Sequence, residues 1–511
     1  MGEVEQKVKE IKERQEQLKL GGGITSIEGQ HSKGKLTARE RIDKLLYSGS
    51  FQEIELQTGS VETGFDIDKE AYPADGVAVG YGKINGQPIF VWSQDATVLG
   101  GTMANVHCRK IVMVMEKALQ ARIPIIGMVD SEGMRAEDVI HYPQFYSPER
   151  MSYFQVISSG VIPQIILVMG PCTGELAICT QLADFVFLVR NTSYTHVSEP
   201  PEGITAEELG SSWMHARTTG CYDVFCEDDE DCLKKCRTLL SFLPANNDKK
   251  PPIIDTKDDP NRCEEELLEL VPLDGNKPYS MYKLISLIAD NGEFFELKRY
   301  WAQNLITGFI RLGGQTVGLI ANNPQNRAGC LTLDAADKMT RLVRFCDAFN
   351  IPLLWLCDTP AFLPAVEEET RGLIRHGAKM ISANSEATVP QITVVIRKAY
   401  GGGNLAMPGI LLGGDLAVCW PQLDRGLMGV GGAVAILHKK ELESIADETQ
   451  REKQRQLRIA EISRRAAIAR TESSQIHIDP RDTRPFLIKA FKTLANRKET
   501  LPARKHENFR V

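Results

Sequence analysis

The sequence predicts an α/β protein built from two copies of one domain, joined in tandem by internal duplication. Two apolar, β-branched runs, at 162–169 and 389–396, both contain Pro-Gln-Ile and both lead into glycine-rich stretches. In each half of the chain, strand-like segments alternate with helical ones, which is typical of an α/β domain with buried strands. Because the repeat is too long for a solenoid, we expect two similar domains packed about a pseudo-twofold axis.

Landmark residues fix the register of this duplication. Three pairs recur with one identical spacing, and a fourth recurs with a spacing that is shorter by a single position: Gly86-Gln87 with Gly314-Gln315, Ile123-Pro124 with Ile351-Pro352, Asp130 with Asp358, and Pro163 with Pro390. In each copy the order predicts a strand pair around the Gly-Gln turn and then a helix. A strand that ends at the aspartate, a second helix and a strand that ends in glycines follow.

A linker separates the two copies. Residues 244–262 are rich in Pro, Asn and Asp, a composition that is typical of connections between domains. We therefore expect one domain at 1–255 and a second at 256–511.

The segment from Gly29 to Leu36 nearly matches a phosphate-binding loop. However, Leu36 replaces the hydroxyl residue that would hold magnesium, and no strand precedes the segment. We interpret it as a basic loop before a helix over 37–46, in which Thr37 and Glu40 form a capping box.

The composition is that of an ordinary globular protein, since 42% of the 511 residues are hydrophobic and 25% are charged. A formal net charge of −7 argues against general nucleic-acid binding. The twelve cysteines are scattered without metal-ligand spacing, so we expect no metal site and a reducing, cytoplasmic location. The N-terminus is charged and no apolar run is long enough to span a bilayer, so we expect no direct membrane insertion.

Both halves contain a strand that ends in glycine: one leads to Gly174 and the other to Gly401-Gly402-Gly403. Glycine at such a place indicates that the backbone comes close to another group. Close helix–strand packing is the commonest use of glycine there, but equivalent turns in both halves favour a shared function. Backbone N–H groups at the start of a helix can stabilise a developing negative charge without any titrating side chain.

Longer motifs extend from about residue 21 to about residue 470. They include Gly34-Lys-Leu-Thr-Ala-Arg-Glu-Arg-Ile42, Asp75-Gly-Val77, Asn276-Lys-Pro-Tyr279, Phe345-Cys-Asp-Ala-Phe-Asn-Ile-Pro352 and Arg397-Lys-Ala-Tyr-Gly-Gly402. Together these motifs resemble those of the carboxyltransferase (β) subunits of biotin-dependent acyl-CoA carboxylases, the family of the propionyl-CoA and methylcrotonyl-CoA carboxylases. The resemblance implies two tandem crotonase-like (ClpP/crotonase) domains of ββα-superhelix fold, with acyl-CoA on the N-terminal domain and biotin on the C-terminal one.

The same resemblance implies an enzyme, an acyl-CoA carboxyltransferase, and its partners. The enzyme would move CO₂ from carboxybiotin to the enolate of an acyl-CoA. Nothing in the chain resembles the Met-Lys-Met turn of a biotin carrier, so biotin would come on another chain, a carrier or a biotin carboxylase subunit. The family forms ring-shaped hexamers, so we expect a homo-hexamer or hetero-hexamer whose active site lies where the N-terminal domain of one subunit meets the C-terminal domain of another.

Site residues follow from the resemblance alone. It implies catalytic roles for Gly174 and Glu175 at the thioester carbonyl and for Gly402 and Gly403 at the urea oxygen of biotin. The predicted biotin-binding residues are Gly401, Gly402 and Gly403, and the predicted acyl-CoA contacts are Ser131, Arg135, Gly174 and Leu405. We expect no side-chain base, because in this family the nitrogen of biotin accepts the proton.

The sequence departs from the family pattern on the acyl-CoA side. Gly170-Pro-Cys-Thr-Gly-Glu-Leu176 has Glu175 where relatives usually have glycine, and Asp130-Ser-Glu-Gly-Met-Arg135 has Glu132 in place of another glycine. A carboxylate beside an enolate would repel it unless it points away, is paired or is protonated. At positive φ, Glu175 would also be strained by about 1 kcal/mol or more. An apolar Leu405 argues against a small or acidic acyl chain, although plain packing explains it equally well.

Three functions stay open. The first is the carboxyltransferase subunit of an acyl-CoA carboxylase. The second is the carboxyltransferase subunit of a biotin-dependent acyl-CoA decarboxylase, which runs the same half-reaction in reverse and is coupled to membrane subunits. The third is a non-catalytic or half-active partner subunit, which only the altered turn at Glu175 supports.

Overall fold

The computed structural model describes residues 2–60, 65, 67, 72–141, 147–471, 476–506 and 508. The chain divides into two compact units. The first comprises Met1–Pro252, Leu297–Trp301 and Ala348–Asn350, and the second comprises Ile253–Glu296, Ala302–Asp347 and Ile351–Val511. Each unit is built around one eight-stranded sheet.

The first sheet begins antiparallel and continues parallel. Its strands are β1 (Gln52–Ile54), β2 (Val77–Ile84), β3 (Gln87–Gln94), β4 (Ile125–Ser131), β5 (Gln164–Thr173), β6 (Phe185–Val189), β7 (Tyr194–His196) and β8 (Val224–Cys226). They lie in the order β1-β2-β3-β4-β5-β6-β8, and β7 pairs with the end of β5. β1, β2 and β3 are antiparallel, whereas the remaining pairs are parallel.

The second sheet has the same design. Its strands are β9 (Phe294–Leu297), β10 (Leu305–Leu312), β11 (Gln315–Asn322), β12 (Leu353–Thr359), β13 (Gln391–Tyr400), β14 (Leu416–Cys419), β15 (Asp424–Gly426) and β16 (Ile476–His477). They lie in the order β9-β10-β11-β12-β13-β14-β16, and β15 pairs with the end of β13. β10 and β11 are antiparallel, and the pairs from β11 to β16 are parallel.

Helices connect and cover these strands. In the first half of the chain they are α1 (Glu3–Leu18), α2 (Ile24–Ser32), α3 (Ala38–Leu45), α4 (Asn105–Ala121), α5 (Pro148–Ser158), α6 (Glu175–Thr180), α7 (Ala206–Gly210), α8 (Ser212–Met214) and α9 (Asp229–Leu240). In the second half they are α10 (Leu267–Leu270), α11 (Met281–Ile288), α12 (Leu333–Ala348), α13 (Val366–Thr370), α14 (Leu373–Glu386), α15 (Gly401–Ala406), α16 (Val430–Leu437), α17 (Lys439–Glu443), α18 (Glu448–Thr471) and α19 (Thr483–Leu494). Within the described ranges, no helix is both long enough and apolar enough to cross a membrane.

The strand bounds confirm the predicted duplication. β10, β11 and β12 follow β2, β3 and β4 with one identical spacing at both ends of each strand, and β13 follows β5 with a spacing shorter by a single position. The two Gly-Gln turns also match, since Gly86 and Gly314 have φ of +81° and +82°, where a residue with a Cβ would be strained. The duplication therefore extends from the order of the strands to individual backbone angles.

Buried lysines repeat with the same spacing. Lys110 on α4 and Lys338 on α12 each donate a hydrogen bond of 2.7 Å to a backbone carbonyl, those of Val77 and Leu305 respectively. Burial lowers the pKa of Lys110 to about 8. These bonds join each long helix to the start of an antiparallel strand of its own sheet, β2 or β10, so the polar part of the core is duplicated as well.

The segment from Gly29 to Leu36 does not form a phosphate-binding loop. α2 occupies its first residues, and the buried Lys35 Nζ lies 2.6 Å from Oδ1 of Asp130 at the end of β4. The predicted capping box is confirmed, because Thr37 Oγ1 accepts from the Glu40 N–H and Glu40 Oε2 accepts from the Thr37 N–H. The basic side chain in this loop therefore pairs with an internal carboxylate.

Arg41 on α3 is the centre of the same buried network. Its side chain is fully buried and lies 2.8 Å from both Asp130 and Asp229. Gln30 donates a further hydrogen bond of 2.9 Å to Asp130. Removing one member of a buried ionic network leaves uncompensated charge in the interior, which costs more than loss of an exposed pair.

We predict that Arg41→Met lowers the free energy of unfolding by about 3–5 kcal/mol. Lys44→Met on the same helix is the matched control, because the pair between Lys44 and Glu230 is solvent-exposed. Urea denaturation of both variants measures the difference. Equal unfolding midpoints for the two variants would show that the buried network does not stabilise the first unit.

Candidate active site

The first turn, Gly174–Leu176, connects the end of β5 to the start of α6. Gly174 has φ of +67°, and its N–H donates to the carbonyl of His196 on β7 at 3.0 Å. Within the described ranges, the N–H groups of Glu175 and Leu176 donate no hydrogen bond. The first N–H groups of a helix extend from its N-terminal end, so the first turn presents two unpaired backbone donors.

Glu175 occupies the first position of α6 without backbone strain. Its φ is not positive, so the strain expected for glutamate in place of glycine is absent. Its side chain is exposed, and it forms no ion pair with any residue that the structure describes. A carboxylate in the first turn of a helix interacts favourably with the positive end of the helix dipole, so glutamate is stable at this position.

The second turn, Gly401–Gly403, connects β13 to α15 in the second unit. Gly401 has φ of +47°, and a Cβ at this position would lie 2.8 Å from the carbonyl oxygen of Leu427. Among the described residues, nothing accepts a hydrogen bond from the N–H groups of Gly402 and Gly403. The second turn therefore also presents two unpaired donors, directly after a glycine in the left-handed conformation.

The register of the repeat makes the two turns equivalent. Gly174 corresponds to Gly401, and Glu175 corresponds to Gly402. The second turn needs its glycines for packing, because a Cβ on Gly402 would lie 3.1 Å from the ring of Phe362 and one on Gly403 would lie 2.9 Å from Thr359. Gly402 is nevertheless exposed. The predicted donors Glu175, Gly402 and Gly403 thus lie in unpaired positions, whereas the N–H of Gly174 is engaged.

Ser131 lies beside the first turn. It ends β4 and is in register with Cys172 on β5, two residues before Gly174. Its side chain is buried, and its hydroxyl accepts from the Gly133 N–H at 3.2 Å. Thr359 takes the same place beside the second turn, in register with Ala399. The sequence prediction missed Thr359, although the spacing that relates Asp130 to Asp358 also relates Ser131 to Thr359 and would have identified it.

Arg135 is not an unpaired cation in the structure, because its side chain forms a buried ion pair. Its guanidinium is buried, and Nη1 lies 2.6 Å from a carboxylate oxygen of Asp75. Nη2 donates to the carbonyl of Thr102 at 3.0 Å. With these contacts the side chain organises the loop after β4 from within.

Leu405 lies on α15, three residues after Gly402 and therefore on the same face of that helix. Its side chain is 44% exposed. The structure places it beside the second turn, which the resemblance assigns to biotin, and at a distance in the chain from the first turn. The predicted contact of Leu405 with the acyl-CoA stays a prediction.

Asp130 and Asp358 fix the ends of the two central strands. Their N–H groups donate to equivalent amide oxygens, those of Gln94 at 3.2 Å and Asn322 at 3.0 Å. Asp358 also accepts from the Lys398 N–H at 2.9 Å, three residues before the second turn. Both carboxylates are engaged within their own units, which makes them positioning groups for the adjacent strands.

His107 extends the hydrogen-bond chain behind Asp130. Its ring is completely buried, Nδ1 lies 2.9 Å from the carbonyl of Asp75, and Nε2 lies 3.2 Å from the amide nitrogen of Gln94. The Gln94 oxygen already accepts from Asp130, so its amide group must donate to an unprotonated Nε2. Burial lowers the pKa of His107 to about 4, and the imidazole is neutral.

The two cysteines near the first turn, Cys172 and Cys179, are not activated. Burial raises the pKa of both Cys172 and Cys179, so these thiols stay protonated at neutral pH. Within the described part of the chain, no three His, Cys, Asp or Glu side chains are arranged to hold a metal ion. Backbone N–H groups are thus the donors that the described residues offer at both turns.

Comparison with known proteins relates nearly the whole chain to one family. The family described as "Carboxyl transferase domain" matches residues 29–509. The chain is 41% identical to the propionyl-CoA carboxylase beta chain of Roseobacter denitrificans, over 98% of this chain and 99% of that protein. It is 40% identical to the methylmalonyl-CoA decarboxylase subunit alpha of Propionigenium modestum, over 98% of each.

The fold matches a solved structure of similar length. The transcarboxylase 12S crystal structure, described as a hexamer assembly with methylmalonyl-coenzyme A bound, superimposes with a TM-score of 0.92 and 38% sequence identity. The match covers 100% of this chain and 99% of that one. The predicted fold class, two tandem crotonase-like domains, is confirmed.

Because His107 is buried and neutral, we expect the free energy of unfolding to decrease in acid. Its folded-state pKa of about 4 lies below the usual value of 6.5, so the unfolded chain binds the proton first as the pH falls. Its contribution is fully present above pH 6.5 and decreases by about 3 kcal/mol as the pH falls to 4. We predict that His107→Gln removes this part of the pH dependence, as measured by urea unfolding between pH 7 and pH 4. Parallel profiles for wild type and variant would contradict the assignment.

Proposed function

The chain belongs to the carboxyl transferase family and is a carboxyltransferase of the biotin-dependent acyl-CoA carboxylase type, and we propose that its two strand-end turns bind the two reacting carbonyl groups. The observation that carries this proposal is the equivalence of the two turns. Each follows the fifth strand of its sheet and begins a short helix, and each offers two unpaired N–H groups within the described residues. Carboxyl transfer between a urea and a thioester needs donors at two carbonyl oxygens.

The first turn stabilises the enolate of the acyl-CoA. When the α-carbon of the thioester loses its proton, negative charge develops on the thioester oxygen. The N–H groups of Glu175 and Leu176 donate hydrogen bonds to this oxygen, and because backbone amides do not titrate they keep their protons while doing so. Gly174 shapes the turn with its positive φ, and its own N–H holds the turn against His196.

The second turn accommodates the urea oxygen of biotin. Gly402 is exposed, and among the described residues the N–H groups of Gly402 and Gly403 are both unpaired. The two residues therefore fit a planar carbonyl group. Biotin, carried on another chain, would supply the CO₂ and a ring nitrogen able to accept the α-proton. The two glycine N–H groups donate to the oxygen as charge develops on it, which makes release of CO₂ easier.

A side-chain base is not required by this arrangement. Asp130 pairs with Lys35 and Arg41, and Asp358 accepts a backbone N–H and lies 3.1 Å from Arg397. Both carboxylates are thus engaged by charged partners within their own units. These contacts support the expectation that no protein side chain removes the α-proton.

We propose carboxylation of a short acyl-CoA as the reaction. The relatives named for propionyl-CoA and methylmalonyl-CoA support this substrate class, since both align over 98% of the chain. The alternative is decarboxylation of the corresponding malonyl-type thioester, and the 40% identity to a decarboxylase subunit supports it. Because the half-reaction is reversible, its direction depends on the biotin-bearing partner.

The partners follow from the same relationship. We propose that the chain acts with a separate biotin-bearing subunit, a carrier or a biotin carboxylase, and assembles as a hexamer. The hexameric assembly named for transcarboxylase 12S supports the second part. A half-active partner subunit is the alternative, and it requires that substitution of residues at the first turn leave the rate of the complex unchanged.

We predict that Gly402→Val lowers carboxyl transfer by about a hundredfold, because a branched side chain would obstruct the donors of the second turn. The matched control is Gly409→Val, since a Cβ at Gly409 meets no atom within 4 Å. The assay uses the biotin-bearing partner and propionyl-CoA. Thermal unfolding and acyl-CoA binding of Gly402→Val verify that the contact with Phe362 has not disrupted the fold. Near-normal turnover in folded Gly402→Val would refute the assignment of this turn.

We also predict that the purified chain carries no covalent biotin and hydrolyses no ATP. A streptavidin blot of the purified chain, with the biotin-bearing partner as positive control, measures the first property. An assay of phosphate release measures the second. A streptavidin-positive band from the isolated chain would contradict the proposal that biotin comes from a partner.

A further inference from the structure

One group at the first turn has no counterpart at the second. The exposed carboxylate of Glu175 stands at the position that Gly402, with no side chain, occupies in the other repeat. Carboxyl transfer from biotin to a thioester does not need a negative charge at this place, since a developing enolate would be repelled by it. The Glu175 carboxylate therefore does not stabilise the transition state, and its role is to be sought in the binding of the thioester.

The direction of the side chain brings the carboxylate to the donor end of α6. In an α-helix every Cα–Cβ bond is tilted toward the N-terminus. Glu175 is the first residue of α6, and the unpaired N–H groups of Glu175 and Leu176 extend from the same end. Whatever group accepts from these donors is consequently a near neighbour of the carboxylate.

No cation neutralises this charge within the part of the chain that the structure describes. Glu175 forms no ion pair there, whereas Glu227 of the same unit is paired with Arg190 at 2.7 Å. The charge of this carboxylate is therefore not offset by a neighbouring described side chain. Its field acts over a distance of about 10 Å at moderate ionic strength.

We propose that Glu175 is a specificity-determining residue that disfavours thioesters carrying a carboxylate on the α-carbon relative to uncarboxylated acyl-CoA. The inference rests on the proposed function, in which the thioester oxygen lies at the first turn. In the carboxylated product the new carboxylate is attached to the carbon next to the thioester carbonyl. This second negative charge lies close to Glu175 and is repelled, whereas an uncarboxylated acyl group brings no charge to that place.

The consequence is a preference in binding. The product of carboxylation is held more weakly than the substrate, which favours release of product and reduces competition by malonyl-type thioesters. A chain with glycine at position 175 would lack this preference. The donors themselves are unchanged, because the backbone N–H of residue 175 is present whatever its side chain.

The test compares Glu175→Gln with wild type by calorimetric binding of propionyl-CoA and methylmalonyl-CoA to the full chain at low ionic strength. We expect Glu175→Gln to bind methylmalonyl-CoA about three- to tenfold more tightly, and propionyl-CoA with a dissociation constant within about twofold of wild type. The gain should shrink at about 0.5 M salt, where the charge is screened. Glu175→Asp, which keeps the charge, should retain the wild-type preference.

Glu448→Gln is the matched control, since Glu448 is an exposed glutamate at the first position of α18 in the second unit. It should bind both thioesters like wild type. An equal change for both thioesters in Glu175→Gln, no change, or weaker binding of methylmalonyl-CoA would overturn the specificity role and leave the proposed function intact. Failure of wild type to bind either thioester would instead overturn the proposed function, and the specificity role with it.

Discussion

The placement of both turns depends on a buried carboxylate at the end of the central strand of each sheet. Asp130 lies at the end of β4 in the first unit and Asp358 at the end of β12 in the second, and both are almost completely buried. A buried charge is stable only when cationic or hydrogen-bonding groups lie close to it. Each carboxylate therefore binds neighbouring segments of the chain at the end of its strand. Asp130 binds the loop before α3 through Lys35, and Asp358 holds the backbone of β13 through the Lys398 N–H. The neighbouring strand in each sheet then ends at a fixed place, where its turn begins.

This constraint explains why the chemistry is assigned to the backbone. Apart from the exposed Glu175, the carboxylates at the ends of the central strands, Asp130 and Asp358, are engaged in buried pairs, and burial raises the pKa of Cys172 so that its thiol stays protonated. Unpaired N–H groups at the start of a helix keep the same charge at every pH and are positioned when the strand and helix fold. The two repeats differ at one decisive position. Gly402 leaves its turn uncovered, whereas Glu175 adds a negative charge to an otherwise equivalent turn.

Most of the fold could be predicted from the sequence, because the same pattern of strands and helices is found in both copies of the repeat. The nearly constant spacing between the two copies, together with strand-like runs that end at Asp130 and at the glycines, located the central strands of each unit. Contacts between residues remote in sequence could not be predicted in this way. The N–H of Gly174 is engaged by His196 on β7, which moves the unpaired donors one residue further along the chain. The guanidinium of Arg135 likewise pairs with the sequence-distant Asp75, because a buried cation requires a carboxylate partner. The position of Leu405 beside the second turn could have been predicted from the sequence, because it lies three residues after Gly402 on the same short helix.

If the chemistry belongs to the backbone, the N–H groups of Glu175 and Leu176 bind the thioester oxygen. A crystal structure of the chain with propionyl-CoA, at a resolution that defines the thioester plane, would measure these two contacts. We expect the thioester oxygen to lie about 2.7–3.1 Å from both nitrogens, with the Glu175 carboxylate turned to solvent on the same side of α6. A thioester oxygen that lies beyond about 4 Å from both nitrogens, or that accepts its hydrogen bonds from a side chain, would show that these backbone groups are not its donors.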